Sequence, residues 1–91
     1  MNNKTRRQLS KIAEKIYDLT NEIEHLREEL EEIQENEQEK YDNMPEHLQE
    51  LENGCRMSEC IEELEDLVSR LDDSVSELYD ITNDIEHVNE I

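Results

Sequence analysis

Between Leu9 and Ile33 the apolar side chains fall at Leu9, Ile12, Ile16, Leu19, Ile23, Leu26, Leu30 and Ile33, in steps of three and four that alternate without a miss. On an α-helix that period gathers them on one narrow stripe, the kind of seam into which a partner helix packs. A second stripe repeats the rhythm: Cys60, Leu64, Leu67, Leu71, Ser74, Leu78, Ile81, Ile85 and Val88. Ile61, Val68 and Val75 widen it on one side. Three apolar positions per heptad are more than a two-stranded seam uses, which suggests contact with more than one neighbour, as in a helical bundle. The pattern therefore predicts an all-α chain, an antiparallel helical hairpin or coiled coil that dimerises into a four-helix bundle. Two helices alone would leave Ile61, Val68 and Val75 partly bare, and this motivates the dimer. The core and oligomer seam is expected at Ile16, Ile23, Leu30, Leu64, Leu71, Leu78 and Ile85.

The element boundaries follow from local chemistry. The first helix is expected over about 5–40, with the Thr5 hydroxyl as N-cap. After Ile33 the heptad fails, because Glu37 and Lys40 stand where apolar residues should be, so the last turns should project beyond the packed region or bend. Tyr41-Asp42-Asn43-Met44-Pro45 breaks the helix, since proline disfavours the α conformation in the residue before it and suits a new first turn. Asn43 or Asp42 can cap a short helix over Pro45 to Leu51. Gly54, the one glycine of the chain, is then available as a left-handed C-terminal residue. The connection with its short helix occupies 41–57. The second helix is expected over about 58–90, with Ser58 as its cap, although a start a few residues earlier fits equally well. All of this amounts to one helical domain over 1–91.

Composition narrows the picture. Of 91 residues, 40% are charged and three are aromatic, all tyrosine. Aromatic side chains supply much of the buried area of most globular cores, so a broad core is excluded and a thin Leu/Ile bundle is not. So small a chain often needs self-association for stability. The net charge is −18 and unevenly spread. Residues 1–15 carry Lys4, Arg6, Arg7, Lys11 and Lys15 against Glu14 alone, so the other 76 residues hold −22. Such a field repels nucleic acid and favours basic partners, including proteins that themselves bind nucleic acid. No apolar run approaches the ~20 residues that span a bilayer, and no signal-peptide core follows Met1. A cytoplasmic protein with two free thiols, Cys55 and Cys60, and no membrane contact is the expectation.

Candidate chemistry is sparse. Glu22-Ile23-Glu24-His25 and Asp84-Ile85-Glu86-His87 contain acid-x-x-His pairs on one helix face, as di-metal bundles do. Here Ile23, Leu26, Ile85 and Val88 hold the inward positions, which leaves both histidines toward the rim. Cys55 and Cys60, even with His47, lack the spacing and the fourth ligand of a zinc site. Cys60 is expected as a small core residue and Cys55 as an exposed thiol. Nothing resembles a nucleophile–base pair or a phosphate-cradling glycine loop, and abundant carboxylates alone do not make an acid–base site. No catalysis, metal or cofactor is expected.

Two features remain. Lys15 to Leu26 and Glu77 to Val88 are identical at seven of twelve positions. Convergence of two coiled-coil stripes accounts for the apolar matches but not for Tyr-Asp-x-Thr-Asn or Glu-His, so duplication or a shared contact role stands beside it as an equal alternative. The second feature is the run Glu28, Glu29, Glu31, Glu32, Glu35, Glu37 and Glu39, with no cation between its members. Seven charges over twelve helical residues span about 18 Å, a length over which duplex DNA carries roughly ten. A rigid acidic rod thus approaches the charge density of a nucleic-acid backbone, although acidic coiled coils commonly carry such faces only for solubility.

The segment Tyr41-Asp42-Asn43-Met44-Pro45-Glu46-His47-Leu48-Gln49, followed by an acidic helix, resembles small acidic helical proteins of phages and mobile elements of Gram-positive bacteria. The likeness covers about half the chain and carries over no catalytic residues. It implies an origin in such an element, where small acidic proteins block host nucleases and other defence proteins, some by mimicking nucleic acid. The leading expectation is therefore an acidic inhibitor, in the host cytoplasm, that binds a basic surface of a host nucleic-acid-binding protein through Glu28, Glu29, Glu31, Glu32 and Glu35. A scaffold coiled-coil oligomer in which charge only confers solubility is the alternative. A weaker third possibility is an oligomeric regulator whose basic tip, Lys4 to Lys15, touches phosphate.

Overall fold

A computed structural model describes all residues, 1–91, and is all-α: α1 (Asn3–Asp42), α2 (Glu46–Gln49) and α3 (Glu52–Glu90). The chain divides into two compact units. The first comprises Met1–His25 with Leu71–Ile91, and the second Leu26–Arg70. In each unit a stretch of α1 packs antiparallel to a stretch of α3.

The ends of the helices differ from the expected ones for identifiable reasons. Asn2, not Thr5, caps α1: its Oδ1 accepts from the Thr5 amide at 2.8 Å, which satisfies one of the orphan donors of the first turn. At the other end α1 runs to Asp42, close to the expected end near residue 40. Gln49 closes that end, its amide donating to the Tyr41 carbonyl at 2.7 Å and to the Met44 carbonyl at 3.3 Å. Pro45 (φ −55°, ψ 142°) takes the cap position of α2, and neither Asp42 nor Asn43 contributes a side-chain cap there. The largest correction concerns Gly54. It lies inside the first turns of α3, which begins at Glu52 and not at Ser58, and its φ is not positive. Its requirement is space: a Cβ would stand 2.5 Å from the carbonyl oxygens of both Leu48 and Gln49. Glycine here lets the start of α3 lie directly against the α2 backbone, and no left-handed turn is involved.

The helix seams are rotated from the expected ones. In the first unit the buried side chains are Ala13 and Thr20 from α1, and Val75 and Thr82 from α3. In the second unit Ile61 is buried, while Arg27 and Gln34 are half-buried on the same row of α1 as Ala13 and Thr20. Ile61 and Val75, expected to be partly bare, are each only 4% exposed. The expected seam residues Ile16, Ile23, Leu30, Leu64, Leu71, Leu78 and Ile85 are all half-buried. The other half of each predicted stripe faces outward. Ile12, Leu19, Leu26 and Ile33 are 50–59% exposed, and Leu67, Ile81 and Val88 are 37–45% exposed. Side-chain size gives the reason: Ala13 and Thr20 are small, so the backbones approach more closely on that row than they could across Ile12 and Leu19. Arg27, its side chain 16% exposed, continues the row.

The two buried threonines satisfy their hydroxyls within their own helices. Thr20 donates to the Ile16 carbonyl at 2.6 Å and Thr82 to the Leu78 carbonyl at 3.1 Å, the i−4 back-bond open to a helical threonine. Each then presents a methyl group to the seam.

Candidate functional site

Charge is the property that distinguishes the two units. Residues 26–70 hold sixteen Asp and Glu against four Lys and Arg, a net of −12. The remaining residues hold eleven against five, a net of −6. The acidic surface is thus concentrated in the second unit.

Within it, the five glutamates expected as a binding face do not act alike. Glu28, Glu29, Glu32 and Glu35 are exposed on α1. Glu31 turns toward the seam, is half-buried, and accepts from the Arg27 guanidinium at 2.7 Å. At the far end of the run Glu37 is bound by the Lys40 ammonium at 3.0 Å. The run that reads as uncompensated is therefore neutralised at two of its members by cations just outside it. On α3 the same unit exposes Glu59, Glu62, Glu63 and Glu65, and the Glu65 carboxylate accepts from the Gln34 amide at 3.2 Å. A shallow, open concavity beside Leu67 is lined by Glu62, Glu63, Asp66 and Arg70. Exposed like charges are held together here by helix packing, and each close pair costs on the order of 1 kcal/mol in water, less with salt. An opposing basic surface would relieve that repulsion.

The basic segment lies in the first unit, beside the end of α3, as an antiparallel arrangement requires. Its contact there is a helix cap. The Arg6 guanidinium donates to the backbone carbonyl of Asn89, in the last turn of α3, where orphan carbonyls and the helix dipole both favour a cation. Nearby, the Asn89 amide donates to the Ser10 hydroxyl at 2.8 Å, and its own Oδ1 is buried without a partner.

The echoed segments meet in this unit. Tyr17 and Tyr79, equivalent positions of the two copies, are in ring contact with centroids 5.6 Å apart and planes tilted by 52°, a favourable tilted geometry. The Tyr79 hydroxyl donates to Asn21 Oδ1 at 2.5 Å. Burial against the helix pair raises the Tyr79 phenol above its ordinary pKa, and Tyr17 and then Glu24 push it the same way. Thr20 and Thr82, another equivalent pair, are both buried and make the same back-bond. The repeated Tyr-Asp-x-Thr-Asn words thus bring equivalent tyrosines into ring contact and bury equivalent threonines. Sequence comparison of the two segments found the positions; the contact between them required the fold.

The remaining candidates stay apart. His25, His47 and His87 are exposed, and no group of three or more His, Cys, Asp or Glu side chains converges to hold a metal ion. Cys55 and Cys60 are both exposed free thiols. Cys60, expected in the core, sits on the outward row with Leu67 because the seam passes through Ile61 instead. No helix is long and apolar enough to cross a membrane. Comparison with protein-family models, curated proteins and solved structures finds no match to this chain.

Proposed function

We propose that this chain is a non-catalytic binding protein encoded by a phage or mobile element. It acts in the host cytoplasm by laying its acidic unit against a basic surface of a host nucleic-acid-binding protein and competing with that protein's DNA or RNA. The observation that carries this reading is the concentration of −12 in residues 26–70, with Glu28, Glu29, Glu32 and Glu35 exposed along one helix. Four side chains, and not five, form the core of the contact, because Glu31 is half-buried while Glu28, Glu29, Glu32 and Glu35 are exposed. Neutralising several charges at once makes such binding steeply salt-dependent. The test is a pull-down from host lysate at low and high salt with the wild-type chain and with a Glu28→Lys/Glu29→Lys/Glu32→Lys/Glu35→Lys variant. A basic protein captured at low salt by the wild type, released by high salt and ignored by the variant is the expected outcome. Capture that is indifferent to salt, or unchanged in the variant, would overturn the mechanism.

A second reading has its own support. The outward apolar rows of α1 and α3 favour a helical oligomer, a homodimer in its simplest form, whose charge serves solubility. In that case the charge-reversed variant keeps its function and substitutions on the apolar rows abolish it.

A further inference from the structure

We infer that a second copy of this chain docks on the outward apolar rows, with α1 of one copy lying on α3 of the other. This deepens the homodimer reading by naming its interface. In the first unit the face is built by Ile12 and Leu19 from α1 and by Ile81 and Val88 from α3. In the second it is built by Leu26, Ile33 and Leu67.

Three observations select a second copy as occupant. The first is the placement of the central rows. On each helix the buried row (Ala13, Thr20; Val75, Thr82) and the outward row (Ile12, Leu19; Ile81, Val88) flank a row that is only half-buried, such as Ile16 and Leu78. Positions one residue apart are separated by about 100° around a helix. The half-buried row therefore points between two contact directions at roughly right angles. A pair of helices cut from a four-helix bundle has this appearance, since the half-buried row aims at the bundle axis. Because the offset from buried to outward row has the same sense on both helices, and the helices run antiparallel, both outward rows open on one face of each unit.

The second observation is charge on the rim. In the first unit, the residues four positions before Leu19, Ile81 and Val88 are Lys15, Glu77 and Asp84, and Glu22 closes the α1 side; all four are exposed. A two-fold axis parallel to the helices of the first unit stacks that unit on the same unit of the other copy. In the first unit this sets Lys15 near the second copy's Asp84. Glu22 and Glu77 are the like-charged exception. The Lys15–Asp84 pair occurs twice and offsets the Glu22–Glu77 repulsion, so this rim does not oppose self-association although the chain carries a net charge of −18.

The third is area. The outward side chains, 37–59% exposed, offer roughly 300 Å² in each unit, a large part of the ~800 Å² per partner of a stable interface.

The dimer buries apolar surface between two anionic chains, so salt strengthens it, whereas salt weakens the acidic contact of the first proposed function. The two ideas therefore fail separately. The experiment is sedimentation equilibrium at micromolar concentration in low and high salt, with far-ultraviolet circular dichroism as a check on helix. The expected mass is twice the 10.9 kDa of one chain, and more dimer at high salt. Leu19→Lys/Ile81→Lys should sediment as one chain with helix content retained, since both side chains are outward in the single chain. A second measurement fixes the arrangement in a Cys55→Ser/Cys60→Ser background. Under oxidation, Leu19→Cys mixed with Ile81→Cys should give a disulfide-linked dimer, and either variant alone should not. A wild-type mass of one chain, an unchanged dimer in the lysine variant, or cross-linking of Leu19→Cys alone would each overturn the inference.

Discussion

Three residues show how local chemistry is overruled or exploited by a neighbour. Gly54 is helical, and alanine is intrinsically favoured over glycine there by ~1 kcal/mol. The added Cβ would meet two backbone oxygens at 2.5 Å, and backbone cannot step aside as a side chain can. Overpacking costs about 1–3 kcal/mol, so Gly54→Ala should lower the thermal midpoint by several degrees, readable by calorimetry. An unchanged or raised midpoint would show that α2 yields freely. Thr20 behaves in the opposite way. Its hydroxyl bonds only its own helix, so Thr20→Val keeps the shape and removes a group that needs satisfying; stability should change by less than ~1 kcal/mol. A larger loss on denaturant unfolding would mean that the hydroxyl has a second role. Tyr79 carries a raised pKa, which means folding favours the neutral phenol. That contribution is complete below the ordinary tyrosine value near ~10 and is lost as pH rises through the higher folded value. Spectrophotometric titration should find a phenol ionising above free tyrosine that disappears in Tyr79→Phe.

At the scale of elements, the rotation of the seams sets which apolar residues hold the helices together. Ile61 and Leu19 occupy similar stripes in sequence, yet one is 4% and the other 50% exposed. Ile61→Ala should cost about 2–4 kcal/mol, in the range of a core truncation. Leu19→Ala in dilute solution should cost under ~1 kcal/mol, because most of what it removes was already in water. Equal losses would indicate that the expected unrotated seam is the one in use. The expected dimer rationale is altered by the same finding. Ile61, Val68 and Val75 were the side chains that seemed to need a second chain; the fold covers Ile61 and Val75 itself and leaves Ile12, Leu19, Leu26 and Ile33 wanting instead. Heptad spacing shows a narrow apolar stripe on α1 and a wider one on α3, but it carries no information on which rows face the intrachain partner.

At the scale of the whole molecule, charge opposes folding as well as serving contact. With −12 carried by one unit, like charges are brought closer on folding than they are in the unfolded chain. Screening shortens their reach to ~8 Å at physiological ionic strength. The thermal midpoint should therefore rise as sodium chloride is added from low concentration, and the quadruple Glu→Lys variant should show a smaller rise. A midpoint that falls with salt would mean that favourable pairs such as Arg27–Glu31 outweigh the repulsion.

The sequence alone determined that the chain is helical, that it breaks near Pro45, that two long helices pack, and that negative charge dominates outside the first turns. These follow from period, proline geometry and simple counting, which act over a few residues or over all of them. Tertiary structure decided what depends on a neighbour distant in sequence. It set the choice of the Ala13–Thr20 row over the Ile12–Leu19 row, the close approach that demands Gly54, the withdrawal of Glu31 from the acidic face, and the meeting of Tyr17 with Tyr79. Each was settled by which side chain is small enough, or oppositely charged enough, to stand against a particular partner, and a one-dimensional pattern does not contain that partner's position.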